Sequence, residues 1–424
     1  PNMTPIYAPY SGNLVDTVPA ATPAQIEHAL AAAARAAVVM SQLSAYERYT
    51  ILMRTADLVA QHVEDLAQTV SLEMGKPISE ARGEAGRIPD LLRLSAFEGS
   101  QMRGETLPVD AQAGAKGKMG FTLRVPCGVV VAISPFNYPL LLVVHKIGPA
   151  LAAGNAVILK PANQTPFSAL KLTQLFIEAG LPENGLQCIT GSGSQIGPAL
   201  CADPRVRKIS FTGSTEVGEQ ITRVAGVKKL SLELGSNCPV IIMPDADIQS
   251  AAQATAAGGF VNAGQVCIST QRVIVHRSVY VDFLDALKPP VGARVITGGE
   301  RSGTVFAPTI VADVDPVMRI SCEELFGPAV AVTAVETVED AIALANDSKY
   351  GLGSGIFTQD VNTALRFVRR AQTGTVMVNW TPLWRADLMP YGGFKGSGIG
   401  KEGPRYAVEE MTELKTIVFH GIEG

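Results

Sequence analysis

Between residues 125 and 235 the sequence alternates short β-branched runs with stretches of helical spacing, and few folds absorb such a pattern. Cys127-Gly-Val-Val-Val-Ala-Ile133 and residues 156–159, 185–190, 208–212 and 229–233 read as strands. Helical patterns lie between most of them, over 140–151, 168–179 and 193–202. Strands joined through helices form a parallel sheet with crossover connections. A second alternation begins after Pro239, with strand patterns at 240–243, 272–276, 329–333, 353–357 and 375–379. The fold class expected is α/β, with two open sheets.

The segment before residue 103 reads differently. Thr22-Pro23 supplies an N-cap and a first helical position for an Ala-rich helix running to Met40, and helices follow over 46–62, 64–74 and 78–102. Residues 117–123 and 413–420 have strand composition but fall outside both alternations, as expected of paired strands in an oligomerisation arm.

At 424 residues the chain exceeds the size at which single cores stop growing, so two or more lobes are expected. Charged residues make up only 17% and hydrophobic ones 47%, a balance that suggests a surface covered by another subunit, in a homodimer or homotetramer. A formal net charge of −4 without a basic run excludes nucleic acid and polybasic membrane surfaces as partners. No apolar run reaches bilayer length and the start lacks the regions of a signal peptide, so a cytoplasmic location is expected. Six scattered cysteines indicate reduced thiols, with neither a disulfide framework nor a zinc site, and no metal is expected.

One cysteine stands apart. Phe260-Val-Asn-Ala-Gly-Gln-Val-Cys267 delivers Cys267 on a Gly-containing stretch. A free cysteine is by default a small buried hydrophobe. Three distant segments change that assessment: Ser134-Pro-Phe-Asn137-Tyr-Pro139, Phe211-Thr-Gly-Ser-Thr-Glu-Val-Gly218 and Leu232-Glu233-Leu-Gly235. An amide, a Gly-bearing phosphate loop, a carboxylate and a thiol are the parts needed to oxidise an aldehyde through a thioester. Cys267 is the candidate nucleophile and needs a lowered pKa or a nearby base to react as thiolate. The five histidines (His28, His62, His145, His276, His420) lie outside any motif, so a Cys–His protease has little support. Asn137 and the backbone N–H of Cys267 are the candidate oxyanion donors. The bland alternative for Pro-Phe-Asn-Tyr-Pro is a turn. Its place just beyond the strand 129–133 favours function, because ligands of open α/β sheets bind outside the carboxyl ends of strands. For a dinucleotide, Gly191-Ser-Gly193-Ser-Gln-Ile-Gly197 has one residue too many for G-x-G-x-x-G and equally suits a strand-to-helix turn. The loop at 211–218 follows a strand and opens a helix, so its N–H groups can face a pyrophosphate.

In this order the segments resemble the aldehyde dehydrogenase family, and the similarity runs from the first helices to the last strand. Leu-Gly-Ser-Asn and the Met-Thr-Glu-Leu-Lys tail are similar to members acting on lactaldehyde, phosphonoacetaldehyde or glyceraldehyde 3-phosphate by the non-phosphorylating route. The resemblance implies a Rossmann-type dinucleotide-binding domain at 1–103 and 127–235, a catalytic domain at 236–405, and an oligomerisation arm at 104–126 and 406–424. It implies NAD or NADP as cofactor. Gly213, Ser214 and Val217 would hold the pyrophosphate, Lys160 the adenosine ribose, and Glu324 and Phe326 the nicotinamide ribose. Ser134, Phe136 and Leu234 are further cofactor contacts. Asn163 stands where many NAD-preferring members carry Glu, and it accepts from the ribose without repelling a 2′-phosphate, which permits NADP.

Glu233 resembles the family's general base for thioester hydrolysis. Its presence favours hydrolysis over transfer to coenzyme A, and Ser236 replaces the commoner second glycine beside it. Arg385 and Tyr391 fall in the region of the substrate funnel. A guanidinium suits an anionic tail, and a surface pair between Arg385 and Asp387 is the equal alternative. Arg103 and Arg272 are further candidates for the anion. The implied activity is NAD(P)-dependent oxidation of a small aldehyde to its acid, with a coenzyme A-acylating enzyme and a structural protein that has lost activity as alternatives. The family carries further residues between 287 and 292, and an additional strand at its start.

Overall fold

A computed structural model describes residues 2–287 and 298–421. The junction at 288–290 lies outside the described residues. Two six-stranded sheets dominate. The first runs in the order 398–399, 229–233, 206–212, 129–133, 156–160, 186–188, parallel except for its short first member. From Val129–Ile133 the chain builds outward in one direction, then returns to build outward in the other from Val206–Thr212. The crevice at this reversal is where open α/β sheets bind ligands. Residues 134–137 follow the first of these strands and residues 213–214 the second, so both anticipated segments open into it.

The second sheet is parallel throughout, in the order 309–311, 329–335, 272–276, 239–242, 353–357, 375–378. The α/β fold class expected from the alternation is therefore observed. Strands buried on both faces read as continuous apolar runs, and Val130, Val131 and Ala132 are indeed fully buried. Thr309–Val311 was not anticipated, because three residues carry too little pattern to register.

Helices Pro23–Gln42, Ala45–Gln61, Val63–Met74 and Ile78–Ser100 match the anticipated set. Thr22 and Ser44 each close a reciprocal capping box, and Gly75 ends the third helix at φ 80°. Ahead of them, Met3–Tyr7 and Leu14–Pro19 form an unanticipated antiparallel hairpin. Leu141–Ala152 is buried at all twelve residues and packs against Ile78–Ser100. The two helices approach closely because Gly99 faces Ala152, where a Cβ would lie 2.6 Å from the alanine methyl.

Thr412–His420 pairs antiparallel along Lys118–Pro126, which also carries Thr106–Leu107. Just before that arm the chain revisits the first sheet. Gly398–Ile399 pairs with Leu232 and Glu233, and Pro404–Glu410 packs on the helices 141–152 and 78–100.

Candidate active site

Cys267 follows a turn of unusual backbone. Asn262, Ala263 and Gly264 all have positive φ (51°, 53° and 70°). Gly264 cannot be replaced cheaply, since a Cβ there would stand 2.1 Å from the carbonyl oxygen of Gly327. The turn is tied to the first sheet: Asn137 Nδ2 donates to Gln265 O at 2.9 Å, and Asn262 Nδ2 donates to Asn137 O at 3.3 Å. An amide nitrogen carries two N–H groups, so Asn137 keeps a second donor beyond the one Gln265 uses.

Cys267 Sγ lies 3.1 Å from Tyr391 Oη. Burial pushes the thiol up to about 12, against the pull of the Tyr391 hydroxyl. Glu233 ends its strand buried, with neither carboxyl oxygen hydrogen-bonded. Burial foremost, then the nearby Glu402, hold it well above the usual carboxylate range, while Arg385, Lys146 and Lys401 pull the other way. Its oxygen is closely walled, because a Cβ on Gly392 would come within 2.9 Å of Oε1.

Behind these groups runs a buried charge network that the sequence reading missed. Glu402 accepts from Lys146 Nζ at 2.9 Å and from Arg385 Nη2 at 3.2 Å. Although burial opposes it, these cations hold Glu402 down to about 2. Arg385 also stacks on the Tyr391 ring, 3.8 Å from its centroid, and its Nε has no hydrogen-bond partner. The surface pair between Arg385 and Asp387 is thereby overturned: Arg385 is turned inward to Glu402, and Asp387 takes Arg87 and His145 instead. Burial drives His145 down to about 4, so it is neutral at pH 7. The overlooked signal was His145-Lys146, adjacent titratable residues in an otherwise apolar helix.

Two other arginines do not join Arg385. Arg103 is exposed, bonds Gln101, and borders a separate cavity with Arg124 and Arg405. Arg272 is buried and spends its guanidinium on the carbonyls of Leu344 and Ala345.

A cavity of about 540 Å³ opens at the crevice of the first sheet, lined by Ile133, Lys160, Gly193, Phe211 and Val217 among others. Both glycine-bearing turns therefore edge one cavity, and they are not competing sites. Lys160 Nζ donates to Asn163 Oδ1 at 3.1 Å, and burial brings it down to about 8. Ser214 caps the helix Thr215–Ala225 by accepting from Val217 N, and Gly213 N donates to Glu233 O at 3.1 Å. Gly213 packs on the Phe211 ring and Gly218 on Leu234. Ser134 Oγ is buried and unpartnered. Glu324 accepts from Ser236 N at 3.0 Å, and burial lifts it to about 7. Phe326, at φ 49°, meets Phe136 edge-on with ring centroids 6.0 Å apart. A helix N-terminus and a lysine at the cavity, with an orphaned hydroxyl on the residue after Ile133, fit a dinucleotide.

A family model described as "Aldehyde dehydrogenase family" matches residues 2–291 and 290–417. A 3-sulfolactaldehyde dehydrogenase of Priestia aryabhattai is 43% identical, with 94% of this chain and 91% of that protein covered. A lactaldehyde dehydrogenase of Methanococcus vannielii is 37% identical over 98% and 97% of the two chains. Among solved structures, an NADP-dependent glyceraldehyde-3-phosphate dehydrogenase from Bacillus halodurans, complexed with NADP, superposes with a TM-score of 0.96 at 34% identity, covering 99% and 96%.

Proposed function

This chain belongs to the aldehyde dehydrogenase family, and from that premise we propose that it oxidises a small aldehyde bearing an anionic group, using Cys267 as nucleophile. NAD(P)-dependent oxidation of an aldehyde follows from the family and its NADP-bound relatives. The observation that carries the finer reading is the convergence of Asn137, Cys267, Tyr391 and Arg385 beside an unpaired, buried Glu233.

Each group has a definable task. Cys267 gives up its proton to water and the thiolate sulfur adds to the carbonyl carbon, giving a thiohemiacetal whose oxyanion is held by Asn137 Nδ2 and the Cys267 N–H. Lys160, Asn163, the 213–217 turn, Ser134, Phe136, Leu234, Glu324 and Phe326 would hold NAD(P), which would supply the acceptor for the hydride leaving the former carbonyl carbon. The resulting thioester is released when ionised Glu233 takes a proton from water, whose oxygen forms the new acid and returns the thiolate to Cys267. A buried carboxylate without hydrogen bonds is a stronger base than a solvated one, which suits it to this step.

Substrate and cofactor preference rest on charge. Lys146, Arg385 and Glu402 together leave one positive charge, and the unpartnered Arg385 Nε is the donor an anionic tail requires. That balance favours a singly charged sulfonate or carboxylate, in keeping with the similarity to a 3-sulfolactaldehyde dehydrogenase. Asn163, bonded to Lys160, supports use of NADP as well as NAD. The unpaired six cysteines support residence in a reducing compartment such as the cytoplasm. The test is the rate of reduced-nicotinamide formation with sulfonated, carboxylated, phosphorylated and neutral aldehydes, each with NAD and NADP. Best kcat/KM on a neutral aldehyde would reject the anionic substrate.

A further inference from the structure

The turn bearing Asn137 is anchored by an ion pair that lies outside the groups already discussed. Lys76 and Glu84 are both fully buried, and their side chains meet at 2.6 Å. Lys76 Nζ also donates to Asn137 O at 2.9 Å and sits 3.7 Å over the Tyr138 ring. Glu84 uses its other oxygen to accept from the backbone N–H groups of Leu140 and Leu141, at 2.9 and 3.1 Å. Helix Leu141–Ala152 has no side-chain cap from its own N-cap residue, so this remote carboxylate serves instead. One ion pair thus grips residues 137–141 at both ends: the carbonyl of Asn137 and the first N–H groups of the helix.

We infer that Lys76 and Glu84 are positioning residues for the oxyanion site, fixing the backbone from which the Asn137 amide is aimed. The inference rests on the reading of Asn137 as an oxyanion donor. Lys76 reaches Glu84, the Asn137 carbonyl and the Tyr138 ring and acts on the site only through the Asn137 peptide. The Asn262 amide, a second donor to the same carbonyl, joins that peptide to the Cys267 turn. The carbonyl is therefore held by a charge-assisted bond from one side and a neutral one from the other. Loss of the stronger bond lets the amide drift, and a misplacement of about 1 Å is enough to cost on the order of a hundredfold in rate.

The experiment is a double-mutant cycle on the rate of the first turnover of NAD(P)H formation, with dinucleotide affinity measured in parallel. Lys76→Met is expected to slow that turnover by about ten- to a hundredfold while changing dinucleotide Kd by less than about twofold. In an Asn137→Ala background the same substitution is expected to cost less than about twofold, because the group it positions is gone. An equal loss in both backgrounds would overturn the inference alone. An Asn137→Ala enzyme with an undiminished first turnover would overturn the oxyanion reading and the inference with it. If Lys76→Met does not fold, the neutral pair Lys76→Met/Glu84→Gln enters the same cycle. Failure of that pair to fold as well would make the ion pair a folding element and reject the inference.

Discussion

A carboxyl group with no partner for either oxygen is costly inside a protein, and Glu233 is such a group. Its raised pKa keeps it neutral to a higher pH than a surface glutamate, so the basic form accumulates as pH rises. Steady turnover should therefore climb with pH through that raised pKa, and Glu233→Gln should remove this limb. The same variant should keep a rapid first release of NAD(P)H and lose steady turnover by about 10² to 10⁴, the range of a general base. Loss of the first release would place Glu233 ahead of hydride transfer and contradict the assignment. Arg385 makes a different prediction. A charge-assisted bond in a desolvated pocket contributes roughly 1.5 to 3 kcal/mol, about ten- to a hundredfold. Arg385→Leu should lower kcat/KM by that factor for an anionic aldehyde and much less for its neutral analogue. Equal losses on both would mean that Arg385 serves only to hold Tyr391 and Glu402.

At the level of elements, what was legible in the sequence depended on how local the signal was. Lys229–Glu233, Arg272–His276, Gly353–Phe357 and the helix Gly193–Ala202 are found with the expected boundaries, because each is a short run whose burial pattern lies within itself. Asn137, Glu233 and Cys267 were singled out for a related reason: each sits inside a recognisable motif, Glu233 at the end of its strand and the other two in turns. Glu402 and Lys146 were not, since 256 residues separate them and neither lies in a motif that announces the other. Asp387 was weighed as a partner for Arg385, as an equal alternative, because it is near in sequence, whereas its arginine partner lies 300 residues away. The turn preceding Cys267 yields the prediction at this scale. Gly264→Ala combines a left-handed backbone with a clash against Gly327 O, and strain of this kind costs on the order of 1 to 3 kcal/mol. Lower Tm and slower alkylation or turnover at Cys267 are expected together, and an unaffected variant would show that the turn is adaptable.

For the whole molecule, the outstanding feature is an open sheet edge. In the three-stranded sheet Lys118–Pro126 is central, so Thr412–His420 offers one side of a nine-residue strand without a partner among the described residues. Long edges of this kind are normally blunted by charge, proline or a bulge. Here Leu414, Val418 and Phe419 are exposed at 57%, 41% and 48%, and the register with 118–126 runs without a break. A regular edge with three exposed apolar side chains, interrupted by charge only at Glu413 and Lys415, on a chain with only 17% charged residues is better explained by subunit contact than by solvent. Closed symmetry makes a dimer, or a pair of dimers, the expected outcome. Light scattering at micromolar concentration should give an assembly of at least two chains, and Val418→Lys with Leu414→Asp should shift it toward smaller species. The first turnover at Cys267 should survive that change, because Cys267 and Tyr391, 3.1 Å apart, both lie outside the strands of that sheet. A parent protein that scatters as a monomer would refute the edge as an interface.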